Sequence, residues 1–157
     1  MAVTVFFDTS VLLAGLVDFG PQSAPAQRLL HAVTEGAIAS PVTAWHCCLE
    51  FFSVATRLPP EYRLTPGDAG QLLGEEVLAR FGVHDLPTAD RATLLKFALD
   101  EGIAGGRIYD AHIAEVARAA SASVIITDNR RHFLAALRHG IRVETPGEYL
   151  AGMKRKR

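Results

Sequence analysis

Two short apolar runs, Val3-Thr4-Val5-Phe6-Phe7 and Val124-Ile125-Ile126-Thr127, each stop at an aspartate, Asp8 and Asp128. Uninterrupted runs of this length predict strands covered on both faces, as in a parallel sheet. Elsewhere apolar residues recur at helical spacing. That spacing predicts helices over about 10–17, 24–35, 42–57, 66–80, 89–101, 107–120 and 130–138. Ala37-Ile38-Ala39, Val83-His84-Asp85-Leu86 and Ile141-Arg142-Val143 are weaker strand candidates. Pro41 is read as opening the 42–57 helix, in which Trp45, Cys48, Leu49 and Phe52 form the core-facing stripe. His46, Glu50, Ser53 and Arg57 share a neighbouring polar stripe. Leu94, Leu95 and Ala98 point inward from one helix. Tyr109, Ile113, Val116, Ala117 and Ala120 do so from the next, with Asp110 at the margin. Alternating strands and helices predict a parallel α/β sheet of four to five strands. One domain is expected over 1–150, followed by a basic, frayed tail over 151–157.

Composition agrees with that core. Of 157 residues, 49% are hydrophobic, so disorder is not expected. Cys47 and Cys48 are neighbours in a predicted helix, where side chains diverge by about 100° and a mutual disulfide is unfavourable. Reduced cysteines, no basic leader and no apolar segment of about 20 residues make a cytoplasmic protein without a membrane span the expectation. The formal net charge is −1, but the charge is unevenly spread. Residues 1–106 carry 6 Lys/Arg against 12 Asp/Glu, and residues 107–157 carry 10 against 5. A basic face formed by Arg130, Arg131, Arg138, Arg142 and the run Lys154-Arg155-Lys156-Arg157, set beside an acidic site, would suit a nucleic acid.

The acidic site is the central expectation. Asp8 and Asp128 sit where strands of an open α/β sheet end, the usual place for a ligand. Glu50 and Asp110 interrupt otherwise apolar helices. Four converging carboxylates would form a hard oxygen site for Mg²⁺ or Mn²⁺, and would repel one another without the ion. Ser10 and Thr127 are placed to orient those ligands or to cap, and His46, one turn from Glu50, to touch substrate. The scattered histidines lack zinc-enzyme spacing, and Gly102-x-x-Gly105-Gly106 lacks the Lys-Ser/Thr of a phosphate loop. No Gly-x-Ser-x-Gly is present. A phosphotransfer domain built on Asp8 is disfavoured because Thr9 and Ser10, not a second acid, follow it.

Four motifs then occur in order: Phe7-Asp8-Thr9-Ser10-Val11-Leu12, Glu50-Phe51-Phe52-Ser53-Val54-Ala55-Thr56, Tyr109-Asp110-Ala111-His112-Ile113-Ala114 and Ile126-Thr127-Asp128-Asn129-Arg130-Arg131-His132-Phe133. In this order the chain resembles the PIN-domain nucleases, and most closely the VapC-type toxins of toxin–antitoxin pairs. The resemblance implies a three-layer α/β/α sandwich around a mainly parallel sheet. It implies an Mg²⁺- or Mn²⁺-dependent endoribonuclease that leaves a 5′-phosphate and a 3′-hydroxyl. It also implies a homodimer and a VapB-type antitoxin partner. Carried over by position, Asp8, Glu50 and Asp110 are metal ligands. For the fourth ligand, Asp128 is chosen by charge, and Asn129, where many relatives place the acid, is its rival. Arg107, Arg130 and Arg131 would contact RNA phosphates. The alternative reading is a catalytically inactive PIN-like module that binds RNA or protein.

Overall fold

The computed structural model describes residues 3–156 and, of Ala135, the backbone alone. Of the expected spans 1–150 and 151–157, Met1, Ala2 and Arg157 lie outside the described residues. Five strands form one parallel sheet: β1 (Thr4–Phe7), β2 (Ser40–Ala44), β3 (Gly82–His84), β4 (Val124–Ile126) and β5 (Arg142–Glu144), in the order β3-β2-β1-β4-β5. Around it lie α1 (Thr9–Leu16), α2 (Ala24–Thr34), α3 (Trp45–Ala55), α4 (Pro66–Leu72), α5 (Arg91–Asp100), α6 (Arg107–Ala119) and α7 (Pro146–Arg155). β1 is central, with Phe6 opposite Val42 on one side and Ile125 on the other. Val5, Phe6 and Phe7 are all buried, although successive side chains point to opposite faces. Both faces are therefore covered, which is why this run is apolar without alternation. Phe7 meets Phe81 edge-to-face, with centroids 5.0 Å apart. The strand order reverses between β1 and β4, and the crevice at such a point, outside the carboxyl ends of the strands, is where open α/β sheets place ligands.

Several boundaries differ from the sequence reading. Pro41 lies inside β2, not at a helix start. It pairs with Val5 of β1 before the β3 ladder begins at Val42, an early strand position where proline is tolerated. Residues 37–39 precede that strand. β4 ends at Ile126, so Asp128 and Asn129 stand beyond the sheet and strand alternation does not govern them. Residues Arg130–His139 form a 3₁₀ segment, closed by Gly140 in the left-handed region at φ 72°. Helix α7 was not anticipated, although Thr145-Pro146-Gly147-Glu148 is a capping sequence. The Thr145 hydroxyl accepts from the Glu148 backbone N–H at 3.2 Å. Lys154 and Arg155 therefore belong to a helix rather than to a frayed tail.

Five residues expected to point inward are exposed. On α3 the buried residues are Cys47, Cys48, Phe51 and Ala55, whereas Trp45 (42%), Leu49 (53%) and Phe52 (37%) are exposed. The helix is apolar over most of its circumference, so its pattern fits two phases, and packing against α1 and α4 selects one. Leu95 and Tyr109 are also exposed, while Leu94, Ala98, Ile113, Val116 and Ala117 are buried as expected. Close packing of α1 on α2 requires Gly15, because a Cβ there would collide with the Leu30 side chain. Among the described residues no helix is long and apolar enough to cross a membrane.

Candidate active site

Asp8 is held at the junction of β1, β4 and α1. Its backbone N–H donates to the Ile126 carbonyl at 3.0 Å, one rung beyond the last β1–β4 pair. Its carboxylate, buried with the residue at 5% exposure, accepts two hydroxyl bonds on Oδ2. Thr127 Oγ1 donates at 2.8 Å and Ser10 Oγ at 2.9 Å. Those hydroxyls in turn accept backbone N–H groups: Ser10 Oγ from Asp128 at 3.1 Å, Thr127 Oγ1 from Asn129 at 3.0 Å. The loop after β4 is thus tied to the Asp8 carboxylate through two hydroxyls. This arrangement fixes the orientation of the acid.

Asp8, Glu50, Asp110 and Asn129 line one open hollow of about 550 Å³, together with Thr9, Ser10, Arg107 and His132. Asp8 comes from a strand end, Glu50 from the middle of α3 and Asp110 from the first turn of α6. Asp128 is exposed and does not line the hollow; its backbone N–H, not its carboxylate, joins the Asp8 network. Of the two candidates for the fourth position, Asn129 lines the hollow and Asp128 does not.

Electrostatics agree with this grouping. Burial raises the Asp8 carboxyl above its ordinary pKa; the Thr127 and Ser10 hydroxyls oppose the rise, and the Glu50 charge adds to it. Asp110 is also raised, first by burial, with His132 opposing and Glu50 again adding. Glu50 therefore acts on both aspartates. Partial desolvation raises Asp128, with no contribution from the other acids.

Sequence reasoning missed His132, whose Nδ1 lies 3.4 Å from Asp110 Oδ2. Its place in the last of the four motifs was the available signal. His46, expected to touch substrate, hydrogen-bonds Glu50 Oε2 through Nε2 at 3.2 Å. The expected basic face divides. Arg107 is in the hollow, and Arg131 and Arg138 line an adjoining cavity of about 570 Å³ that also contains Arg107, Asp110 and His132. Arg130 is paired with Glu148 at 2.8 Å, and Arg138 with Glu101 at 3.2 Å. Arg142, Arg155 and Lys156 line a different groove with Val3 and Ile38. Val3 and Ile38 precede β1 and β2 and Arg142 opens β5, so that groove lies at the opposite edge of the parallel sheet.

The donor set fits a hard divalent cation. Three carboxylates share one hollow, two are raised in part by the third, and the buried Thr9 Oγ1 lacks a hydrogen-bond partner. Among the described residues no three His, Cys, Asp or Glu side chains stand close enough to enclose an ion by themselves. Mg²⁺ does not require such a cage, since it keeps several waters and uses one or two carboxylates. Cys47 and Cys48 are buried free thiols, pushed by burial up to about 12 and about 11. At those values neither is a nucleophile near neutral pH.

Comparison with known proteins adds the family. A family model described as PIN domain matches residues 4–131. Ribonuclease VapC40 of Mycobacterium tuberculosis is 30% identical over 123 residues, covering 78% of this chain and 85% of that protein. Two solved structures share the fold. Mycobacterium tuberculosis VapC20, described as a toxin that cleaves the sarcin-ricin loop, aligns with TM-score 0.64 and 16% identity, covering 85% of this chain and 95% of its own. FitAcB of Neisseria gonorrhoeae aligns with TM-score 0.60 and 18% identity, covering 92% and 99%.

Proposed function

Because the chain belongs to the PIN-domain family, we propose that it is a divalent-metal-dependent endoribonuclease and the toxin of a toxin–antitoxin pair. One observation carries the reading: acids from β1, α3 and α6 line a single hollow beside Arg107. Asp8 and Asp110 would hold Mg²⁺ or Mn²⁺ directly, with Glu50 completing the shell through bound water and Asn129 as the fourth group. When bound, the ion lowers the pKa of a water and offsets charge on the scissile phosphate. Ser10 and Thr127 keep the Asp8 carboxylate in one orientation. His46 does the same for Glu50 through Nε2. Arg107 and Arg131 position the RNA backbone by phosphate contacts, which carry no sequence information. Arg130 must leave Glu148 to join them.

An antitoxin of the VapB type and a second copy of the chain are the proposed partners. The relative named VapC40 supports the first. The uncovered stripe Trp45, Leu49 and Phe52 supports the second, since it offers apolar surface to bury.

Purified protein is expected to cleave single-stranded RNA with Mg²⁺, to lose this with EDTA, and to recover with added metal. Asp110→Asn should lower cleavage by at least about 100-fold while melting like the wild type. RNA binding with no cleavage under any metal would establish the inactive module, to which Asn129 in place of a fourth acid lends its support.

A further inference from the structure

Tyr109 immediately precedes Asp110 in the first turn of α6 and is 54% exposed. Its ring is stacked on His46, with centroids 5.2 Å apart and planes 11° from parallel. His112 meets His46 edge-on, at 5.5 Å and 77°. His46 is further fixed by its bond to Glu50. His46 and His112 thus back the Tyr109 ring, beside Glu50, which His46 bonds, and Asp110, which follows Tyr109 in the chain. Arg107, two residues before Tyr109, lines the acidic hollow itself.

An exposed, preordered aromatic ring two residues from Arg107, a proposed phosphate contact, is well suited to a nucleobase. A mobile ring would lose conformational freedom on stacking, whereas this one is already held by His46. Apolar burial does not account for the arrangement, since Ile113, Val116 and Ala117 form the buried face of α6. We propose that the outer face of Tyr109, backed by His46, is the stacking platform for one unpaired nucleobase next to the scissile phosphate. The inference rests on the nuclease reading and deepens it by naming the side chain that would hold a splayed base at the cut. Bases inside an A-form helix are stacked on each other and cannot reach a side-chain ring.

The test separates stacking from cleavage. Oligoribonucleotides carrying 2-aminopurine at successive positions are bound in EDTA, where stacking quenches the fluorophore. The wild type should quench at one position, which then neighbours the cut when Mg²⁺ is added. Tyr109→Leu should abolish that quench and raise KM for single-stranded RNA roughly tenfold, with little change in kcat. Tyr109→Phe should behave as wild type, because stacking needs the ring and not the hydroxyl. The exposed position makes misfolding of these variants easy to exclude by thermal melting. Unchanged quenching in Tyr109→Leu would overturn the platform. So would a loss confined to kcat, which would place Tyr109 behind His46 and Glu50 instead. Wild-type quenching without any cleavage would keep the platform and refute the nuclease. Cleavage without quenching at any position would do the reverse.

Discussion

Replacing Asp8 by Asn should make the metal-free protein more stable while abolishing its chemistry. The carboxylate accepts Thr127 and Ser10 hydroxyls at 2.8 and 2.9 Å in a nearly fully buried position. A hydrogen bond to a charged group contributes about 1.5–3 kcal/mol and a neutral one about 1, so the amide forfeits roughly 2 kcal/mol over the two bonds. Against this, a buried ion costs several kcal/mol of desolvation. The raised pKa shows that burial outweighs the hydroxyls, with Glu50 adding repulsion. A net gain of about 1 kcal/mol corresponds to a rise of about 2–4 °C in Tm for a chain of this size. The folded-state pKa exceeds the ordinary 3.8, so the native state binds this proton more tightly than the unfolded chain. Stability from the neutral acid is therefore present below pH 3.8 and lost as pH rises through the folded-state value. Asparagine is neutral throughout. Its advantage should be absent at low pH and full at neutral pH. The assay is thermal unfolding of both proteins in EDTA across that range, then in Mg²⁺. At a concentration ten times Kd, the ion should stabilise the wild type by about 1.4 kcal/mol and the variant hardly at all, reversing their order. A variant that melts below the wild type at neutral pH in EDTA would refute the reasoning. Asp8 would then be a net structural group whose hydroxyl bonds exceed its desolvation.

The fourth position can be resolved by a pair of variants. Asn129→Ala should reduce cleavage by about 10-fold or more, and Asp128→Asn should change it little; the opposite ranking in steady-state assays would restore Asp128 to the site. Thr127→Val removes a buried donor to Asp8 and an acceptor for Asn129, so chemical denaturation should report a loss of about 1–3 kcal/mol and activity should fall with it. Gly15→Ala places a methyl group against Leu30 and 3.2 Å from the Ala26 carbonyl. Overpacking costs of about 1–3 kcal/mol should exceed the gain of up to about 1 kcal/mol from better helix propensity, and the melting temperature should drop by a few degrees.

The sheet and its order of elements were legible in the sequence because β1 and β4 are apolar on both faces, a pattern that only a twice-covered strand explains. Asp8, Glu50 and Asp110 were legible for a related reason, as charges set in apolar surroundings. Local chemistry also marked α7 through Thr145 and Glu148, although periodicity alone passed over it. Three other features depended on packing. The burial of Cys47, Phe51 and Ala55 rather than Trp45, Leu49 and Phe52 could not be read from α3, since apolar burial is non-directional and both stripes satisfy helical spacing. Which of Asp128 and Asn129 lines the hollow depended on where β4 releases the chain, one residue before Thr127 anchors it to Asp8. The basic residues, close in sequence, were parted because the two ends of a parallel strand face opposite edges of the sheet. Residue types and their spacing therefore determined which elements form and which groups carry charge. Helix phase and the points where strands end, set by long-range contacts, decided which of those groups share a hollow.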